Sequence, residues 1–280
     1  MTPLMIKNII LNNVAAIKKR YIDKYPGNFI LACDGKGYWR KDVYPYYKMK
    51  RADGRAASPM DWAMIFDTLN ELYEEIQEFF PWHLVKVDGL EGDDIISILV
   101  QHLQTNELVA NGVYFDEPQP IIIVSADKDF LQLQDYPNVS QYSPPQRKFL
   151  KNDKSPLEDK YLKIIGGDAG DGIVNIFSDD NCFAIGKRQT PASKKKVQPI
   201  IESLMNTGEL PDGTPQYIID NFKRNKMLID LVDLQSPPEL KQKAIEMYES
   251  IDNSNKGKGL LYNYFVANGM KNLLKDINKF

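Results

Sequence analysis

Three short apolar runs, each followed by carboxylates, constrain this chain more than any other feature of its sequence. Phe29-Ile30-Leu31-Ala32-Cys33 runs into Asp34, and Leu84 to Val87 is followed by Asp88, Glu91, Asp93 and Asp94. Pro120 to Ser125, rich in Ile and Val, is followed by Asp127 and Asp129. Short continuous apolar runs are the pattern of strands buried on both faces. Helical spacing takes over between them. Lys7 to Tyr21 carries Ile9, Ile10, Val14 and Ile17 with Lys18, Lys19 and Arg20 in its last turn, and Ser58-Pro59 opens a helix bearing Trp62, Ile65, Phe66, Leu69, Leu72 and Ile76. A further helix is expected from about Glu91 to Thr105, a short one ends near Leu133, and Val139 to Tyr142 suits a fourth strand. The alternation predicts an α/β fold: a mainly parallel central sheet flanked by helices, with its site beyond the C-terminal strand ends. After about Lys154 the apolar pattern is helical to the end, punctuated by Pro191, Pro211 and Pro237. The expected division is therefore an α/β core over residues 1–154 and a helical region over 155–280.

Such a sheet gathers its acids at one edge, where Asp168 and Asp171 of the Gly166-Gly167-Asp168-Ala169-Gly170-Asp171-Gly172 loop can join them. Each acid taken singly has an ordinary explanation. Asp88 and Glu91 have capping-box spacing, Asp127 suits the cap of a short helix, and Asp168 and Asp171 suit turns among glycines. Together they are harder to dismiss, because two carboxylates about 4 Å apart repel by roughly 4 kcal/mol at an effective dielectric near 20. A cluster of this kind calls for cations. With only two histidines, His83 and His102, and two distant cysteines, Cys33 and Cys182, the metal ligands must be oxygens. Oxygen ligation selects Mg²⁺ or Mn²⁺, and a pair of such ions serves phosphodiester cleavage.

The formal net charge of −3 conceals two basic segments. Between Lys36 and Arg55 stand seven cations against two acids, and between Lys187 and Lys196 five cations and no acid. The first interleaves Arg40 and Lys48 with Tyr38, Trp39, Tyr44, Tyr46 and Tyr47, a mixture suited to phosphates and stacked bases. The second holds Lys187, Arg188, Lys194, Lys195 and Lys196 around a helix start at Thr190-Pro191-Ala192-Ser193, a natural phosphate site. No apolar stretch is long enough to span a membrane, and no secretory signal pattern opens the chain. With Cys33 inside an apolar run, the expectation is a reduced, cytoplasmic protein.

Glu91-Gly92-Asp93-Asp94 opening a helix, Ser125-Ala126-Asp127-Lys128-Asp129-Phe130 after a strand, and Gly167-Asp168-Ala169-Gly170-Asp171 resemble the ordered metal-binding motifs of the 5′-nuclease (flap endonuclease, PIN-like) family. Asp34 with Gly37-Tyr38-Trp39-Arg40, Tyr46-Tyr47-Lys48, Tyr136-Pro137-Asn138-Val139 and the tail Tyr262-Asn263-Tyr264-Phe265-Val266 extend the likeness along nearly the whole chain, toward the T-even phage type of ribonuclease H and 5′–3′ exonuclease. The resemblance implies two Mg²⁺ ions, with Mn²⁺ able to substitute, held by Asp34, Glu91, Asp93, Asp94, Asp127, Asp129, Asp168 and Asp171. It implies that Lys48 and Arg51, in an arch region over about 36–58, grip the scissile phosphate and the 5′ strand. It implies a helix–three-turn–helix near Ile173 to Lys196, with Gly186-Lys187-Arg188 as its turn, holding the duplex. The implied substrates are DNA and RNA–DNA duplexes with 5′ ends or flaps; replication proteins are the implied partners, and the chain is expected to act as a monomer in a host cytoplasm.

One departure stands out. The family places a strand bearing a metal-ligating Asp before the helix with which this chain opens, and no acid precedes Asp34 except Asp23, in a turn. The sheet is therefore expected to lack one strand and the metal site one acid. Two other readings follow: a catalytically weakened relative that still binds branched nucleic acid, and, more remotely, a haloacid-dehalogenase-type phosphatase suggested by Asp127-Lys128-Asp129 and the glycine-rich loop.

Overall fold

The computed structural model of the chain describes residues 2–22, 27–105, 109–110, 113–114, 120–151 and 155–280. Asp23, assigned to a turn, and Lys154, at the expected boundary, lie outside them. The first part runs α1 (Pro3–Ile22), β1 (Ile30–Cys33), two short helices α2 (Arg40–Val43) and α3 (Lys50–Ala56), α4 (Trp62–Phe79), β2 (His83–Lys86), α5 (Gly92–Thr105), β3 (Val109–Ala110), β4 (Val113–Tyr114), β5 (Ile121–Val124), a 3-10 helix (Lys128–Asp135), β6 (Val139–Ser143) and β7 (Lys148–Leu150). Helices follow: α6 (Pro156–Gly166), α7 (Lys194–Thr207), α8 (Gln216–Ile229), α9 (Pro238–Ser250), α10 (Lys258–Ala267) and α11 (Lys271–Lys275), with a closing 3-10 turn at Ile277–Lys279.

The strands are parallel as expected, but they do not form one sheet. β1 pairs with β2, Ile30 opposite His83, and β5 pairs with β6, Ile121 opposite Val139. β7 returns antiparallel on β6, and β3 with β4 makes a separate minimal hairpin. Among the described residues no ladder joins β1 to β5, so the predicted single central sheet is corrected to small sheets side by side. Packing joins them instead. Side chains alternate along a strand: Ile30 and Ala32 of β1 and Val85 of β2 enter the cluster built on Ile95, Ile98 and Leu99 of α5, and so do Ile121 and Ile123 of β5. Leu31, Cys33 and Leu84 turn the other way, to Leu11 and Ala15 of α1 and Leu72 and Ile76 of α4. Each such α5 side chain contributes about 1.5–3 kcal/mol by burial, so one helix holds both strand pairs in place.

Helix α4 begins later than the Ser58-Pro59 signal suggests. Asp61 is its cap, accepting the Met64 N–H at 3.0 Å, while the Ser58 hydroxyl turns back to the Met60 N–H. A carboxylate reaching the third residue beyond it satisfies an orphan amide of the first turn, and the bend through 58–60 occupies the upstream serine.

The helical part packs in two places. α6, α7 and α8 enclose a core with Tyr44 and Tyr47. Leu231, Leu234 and Ala244 return to the α5 core, and Leu261, Phe265 and Leu273 to the α1–α4 side. There Phe280 stacks on Trp82 with ring centroids 5.8 Å apart. Residues on either side of position 154 thus share cores. Both cysteines are free, and among the described residues no helix is long and apolar enough to cross a membrane.

Fully buried Asn225 of α8 donates to the carbonyls of Ile164 and Val174 at 2.9 and 2.8 Å, tethering the segment between them, which contains the glycine-rich loop. Asn225→Ala leaves two buried carbonyls unpaired and should lower the unfolding free energy by about 2–3 kcal/mol. Urea denaturation measures this, and a loss under about 0.5 kcal/mol would show that the loop is moored by other contacts.

Candidate active site

The turns after β1 and β2 lie flat against each other. Gly35 donates to the Leu90 carbonyl at 2.9 Å, and a Cβ on Gly35 would stand 2.0 Å from the Val87 carbonyl oxygen, so only glycine fits. This brings Asp34 Oδ1 within 2.8 Å of the Gly92 N–H, at the first turn of α5. Asp94 Oδ2 accepts the Glu91 N–H at 3.0 Å, so the capping interaction is Glu91 with Asp94. Asp88, the partner expected from spacing, instead accepts the Lys36 N–H at 2.8 Å.

Asp94 is wholly buried and Arg40 only 3% exposed. Arg40 meets Asp94 Oδ1 through Nη2 at 2.7 Å, Glu91 Oε2 through Nη1 at 3.1 Å and the Leu228 carbonyl through Nε at 2.9 Å. The Trp39 indole N–H adds a bond to Asp94 at 3.1 Å. Burial would lower the Arg40 pKa, but the charges of Asp94 and Glu91 outweigh it and the net shift is upward. Tyr47 is likewise inside, donating to Glu91 Oε2 at 2.7 Å. Arg40 and Tyr47, expected on a nucleic-acid surface, are thus turned into the protein, because the acids at the start of α5 need cations and donors more than the surface does. Tyr38 stays half-buried near the rim.

The glycine-rich loop is closed by paired bonds between Asp168 and Ile173, at 2.8 and 2.7 Å. Gly172, at φ +76°, runs so close to the 46–48 segment that a Cβ would come 2.8 Å from the Tyr46 carbonyl oxygen. Lys48 holds a left-handed backbone, φ +53°, and its N–H bonds the Asp171 carbonyl at 2.7 Å. Its ammonium pairs with Glu91 and lies 3.7 Å from Asp171 Oδ2, while Arg51 meets Asp171 Oδ1 at 2.6 Å. A non-glycine residue held at positive φ is a strain often stored at functional sites.

Asp127 caps the 3-10 helix, accepting the Asp129 N–H at 3.0 Å. Asp129 pairs with Lys163, which also lies 3.2 Å from Asp168 Oδ2. Burial would raise the Asp168 pKa, but Lys163 and the N–H groups of Asp171 and Gly170 outweigh it and hold the carboxyl below its ordinary range. A cavity of about 20 Å³, the size for one water-sized body, is lined by Asp93, Asp129, Asp168 and Asp171 with Arg40 and Tyr47. Among the described residues Asp93 has no hydrogen-bond or ion-pair partner, and no three carboxylates converge as a ready cage for an ion. Lysines and arginines stand between the acids and offset their mutual repulsion.

The second basic segment is exposed. Lys187 pairs with Asp179 at 2.7 Å, Arg188 follows it on the surface, and Lys194, Lys195 and Lys196 form the first turn of α7. Among the described residues no helix begins between Ile173 and Ser193, so the expected motif is corrected: its turns are flanked by α6 and α7. Asn175 fastens them, with its N–H on Gln189 at 2.7 Å and its amide on the Thr190 carbonyl at 2.9 Å. Sequence reasoning passed over Lys163 and Asn225. The signal for Lys163 was a cation in the last turn of a helix that ends at a double glycine.

The fold agrees with the family to which the chain belongs. Residues 5–162 match the family described as 5′-3′ exonuclease, N-terminal resolvase-like domain, so the chain is a member of that 5′–3′ exonuclease family. More particularly, residues 154–280 match the family described as T4 RNase H, C terminal. The chain is 29% identical to Ribonuclease H of Enterobacteria phage T4 over 281 residues, covering 99% of this chain and 87% of the relative. Among solved structures, the phage T5 D15 protein co-crystallised with metal ions superposes with a TM-score of 0.59 at 20% identity, over 84% of this chain and 90% of that one. A variant of the bacteriophage T5 D15 flap endonuclease, in a pseudo-enzyme-product complex with DNA and metal ions, gives 0.56, also at 20% identity and the same coverage. Membership of this family sets the phosphatase reading aside.

Burial pushes the Asp93 carboxyl up to about 6, and Asp127 and Glu91 add to the shift while Lys48 and Arg40 oppose it. The folded protein therefore holds this proton more tightly than the unfolded chain does. Ionising Asp93 costs stability as pH rises from the unfolded value of 3.8 through about 6, and the penalty is complete above that range. Asp93→Asn should raise the metal-free Tm at about pH 8, by an amount equivalent to at most roughly 3 kcal/mol, and lose that gain at about pH 4. Thermal unfolding across pH checks it; an equal gain at both ends would place the effect elsewhere than in the charge.

Proposed function

We propose that the chain is a Mg²⁺-dependent 5′ nuclease that hydrolyses phosphodiesters of DNA or RNA strands in duplexes with 5′ ends or flaps, by two-metal chemistry. The observation that carries this reading is one edge of the molecule bearing Asp34, Glu91, Asp93, Asp127, Asp129, Asp168 and Asp171 together with Lys48 and Arg51. The oxygen-only donor set, and an Asp93 carboxylate without a partner among the described residues, fit a hard divalent cation. When bound, such ions supply charge neutralisation at the phosphodiester and an acidified attacking water.

The chain's own groups do the rest. Asp94 fixes Arg40 and the start of α5, and Arg40 in turn orients Glu91 toward the edge. Lys48 and Arg51 bind the scissile phosphate, Arg51 from a half-exposed position. Lys194, Lys195, Lys196, Lys187 and Arg188 receive the duplex backbone: a first helical turn made of lysines opposes the helix dipole, and an anion resolves the conflict. Residues 155–280 are proposed as the duplex-binding region. A T5 relative crystallised with DNA and metal ions supports this substrate class. The weakened binder remains the second reading, favoured by the lack of three converged carboxylates among the described residues.

Cleavage of flap and nicked-duplex substrates with Mg²⁺ separates the two. The enzyme reading expects product from wild type and none from Asp127→Ala; wild type that binds branched DNA yet yields no product leaves only the binder. Lys48→Ala should slow cleavage on the order of 10²-fold, as loss of a group acting on transition-state charge does, while metal affinity changes far less. Single-turnover rates beside metal titrations test this, and an equal loss of metal affinity would show that Lys48 supports the carboxylates rather than the phosphate.

A further inference from the structure

Lys163 stands in the last turn of α6, and its ammonium bridges two acids from different parts of the molecule. One is Asp129 of the 3-10 helix; the other is Asp168 of the glycine-rich loop, 3.2 Å away through Oδ2. Both acids line the small cavity described above. Asp168 Oδ1 is already committed to the loop, accepting the N–H groups of Gly170 at 2.8 Å and Asp171 at 3.2 Å, so Oδ2 is the oxygen left for a cation. One ammonium between two carboxylates leaves a negative charge uncompensated. A divalent ion in the same place would not.

Lys48 makes the corresponding bridge between Glu91 and Asp171, but it is locked. Its side chain is 7% exposed and its backbone is bonded to Asp171. Lys163 is 27% exposed and joins the surface of its helix by a flexible stem of four methylenes. Of the two bridging lysines, it is the one able to yield.

We infer that Lys163 is an internal counter-ion of a cation position at this cavity: its ammonium lies between Asp129 and Asp168 in the ion-free protein and is displaced when a divalent cation binds there. The inference rests on the metal-dependent nuclease reading. In the ion-free state Lys163 keeps the loop and the 3-10 helix from repelling each other. An entering ion has to compete with it, which weakens this position. Once displaced, the ammonium is released beside the cleft where a phosphate would lie.

The test is calorimetric titration of Mn²⁺ into the full chain, comparing wild type with Lys163→Gln, Lys163→Arg and Lys226→Gln. Lys226 pairs with Asp233 at 2.8 Å on the surface, so its replacement makes the same change in net charge away from the cavity. Lys163→Gln is expected to tighten the weaker Mn²⁺ binding about fivefold, roughly 1 kcal/mol, while the other two variants stay near wild type. Thermal unfolding gives a second readout: ion-free Lys163→Gln should melt lower than wild type, and Mn²⁺ should raise its Tm by more. If wild type binds Mn²⁺ and Lys163→Gln binds it no more tightly, the counter-ion role is overturned while the nuclease reading stands. If wild type binds no Mn²⁺ at all, both fall.

Discussion

The pair of Asp94 and Arg40 is the interaction on which the rest of the site depends. Neither charge touches water to any extent, and an ion pair taken out of solvent gains little unless every remaining donor and acceptor is met. Here most are met: Arg40, the Trp39 indole and the Glu91 N–H all reach Asp94 Oδ2, and the Leu228 carbonyl takes a further Arg40 donor, while Asp94 Oδ1 has the ion-pair contact with Arg40 at 2.7 Å and no hydrogen bond. The pair thereby ties the segment after β1, the first turn of α5 and the end of α8 into one joint. Charge at this point acts as a geometric device, setting the direction in which Glu91 and its neighbours face.

From that joint outward, acids and cations alternate. Glu91 meets Lys48, Lys48 meets Asp171, Asp171 meets Arg51, and across the cavity Asp129 meets Lys163 and then Asp168. Glycines at 167 and 172, both at positive φ, let the loop come close enough to join the chain of pairs. The same alternation explains why Asp93 is singular. Of the four acids lining the cavity, it is the one with no cation paired to it among the described residues, so burial, helped by the nearby acids, is left to raise its pKa.

Much of this was legible in the sequence. Apolar runs followed by acids located β1, β2 and β5 and the side on which the carboxylates would gather, because strand burial and parallel pairing leave few alternatives. What periodicity does not encode is which strand edges meet, so the division into separate small sheets was hidden. Nor does local composition reveal orientation. Arg40 and Tyr47 sit in a segment dense with cations and rings, as a nucleic-acid surface would, but their partners Glu91 and Asp94 are some fifty positions away. Lys163 was hidden for the same reason: its meaning comes from Asp129, which only the packing of α6 against the 3-10 helix brings near. Asp127 shows the opposite lesson, since its capping bond, the ordinary explanation, and its place on the acidic edge hold at once.

The separation of β1–β2 from β5–β6 changes what sets the distance between the two halves of the acidic edge. In a continuous sheet, ladder hydrogen bonds fix neighbouring strands about 4.8 Å apart, and the acids at their ends inherit that spacing. Here α5 carries Glu91, Asp93 and Asp94 at its N-terminus and packs against both strand pairs, so side-chain packing and ion pairs determine how far Asp34 lies from Asp127.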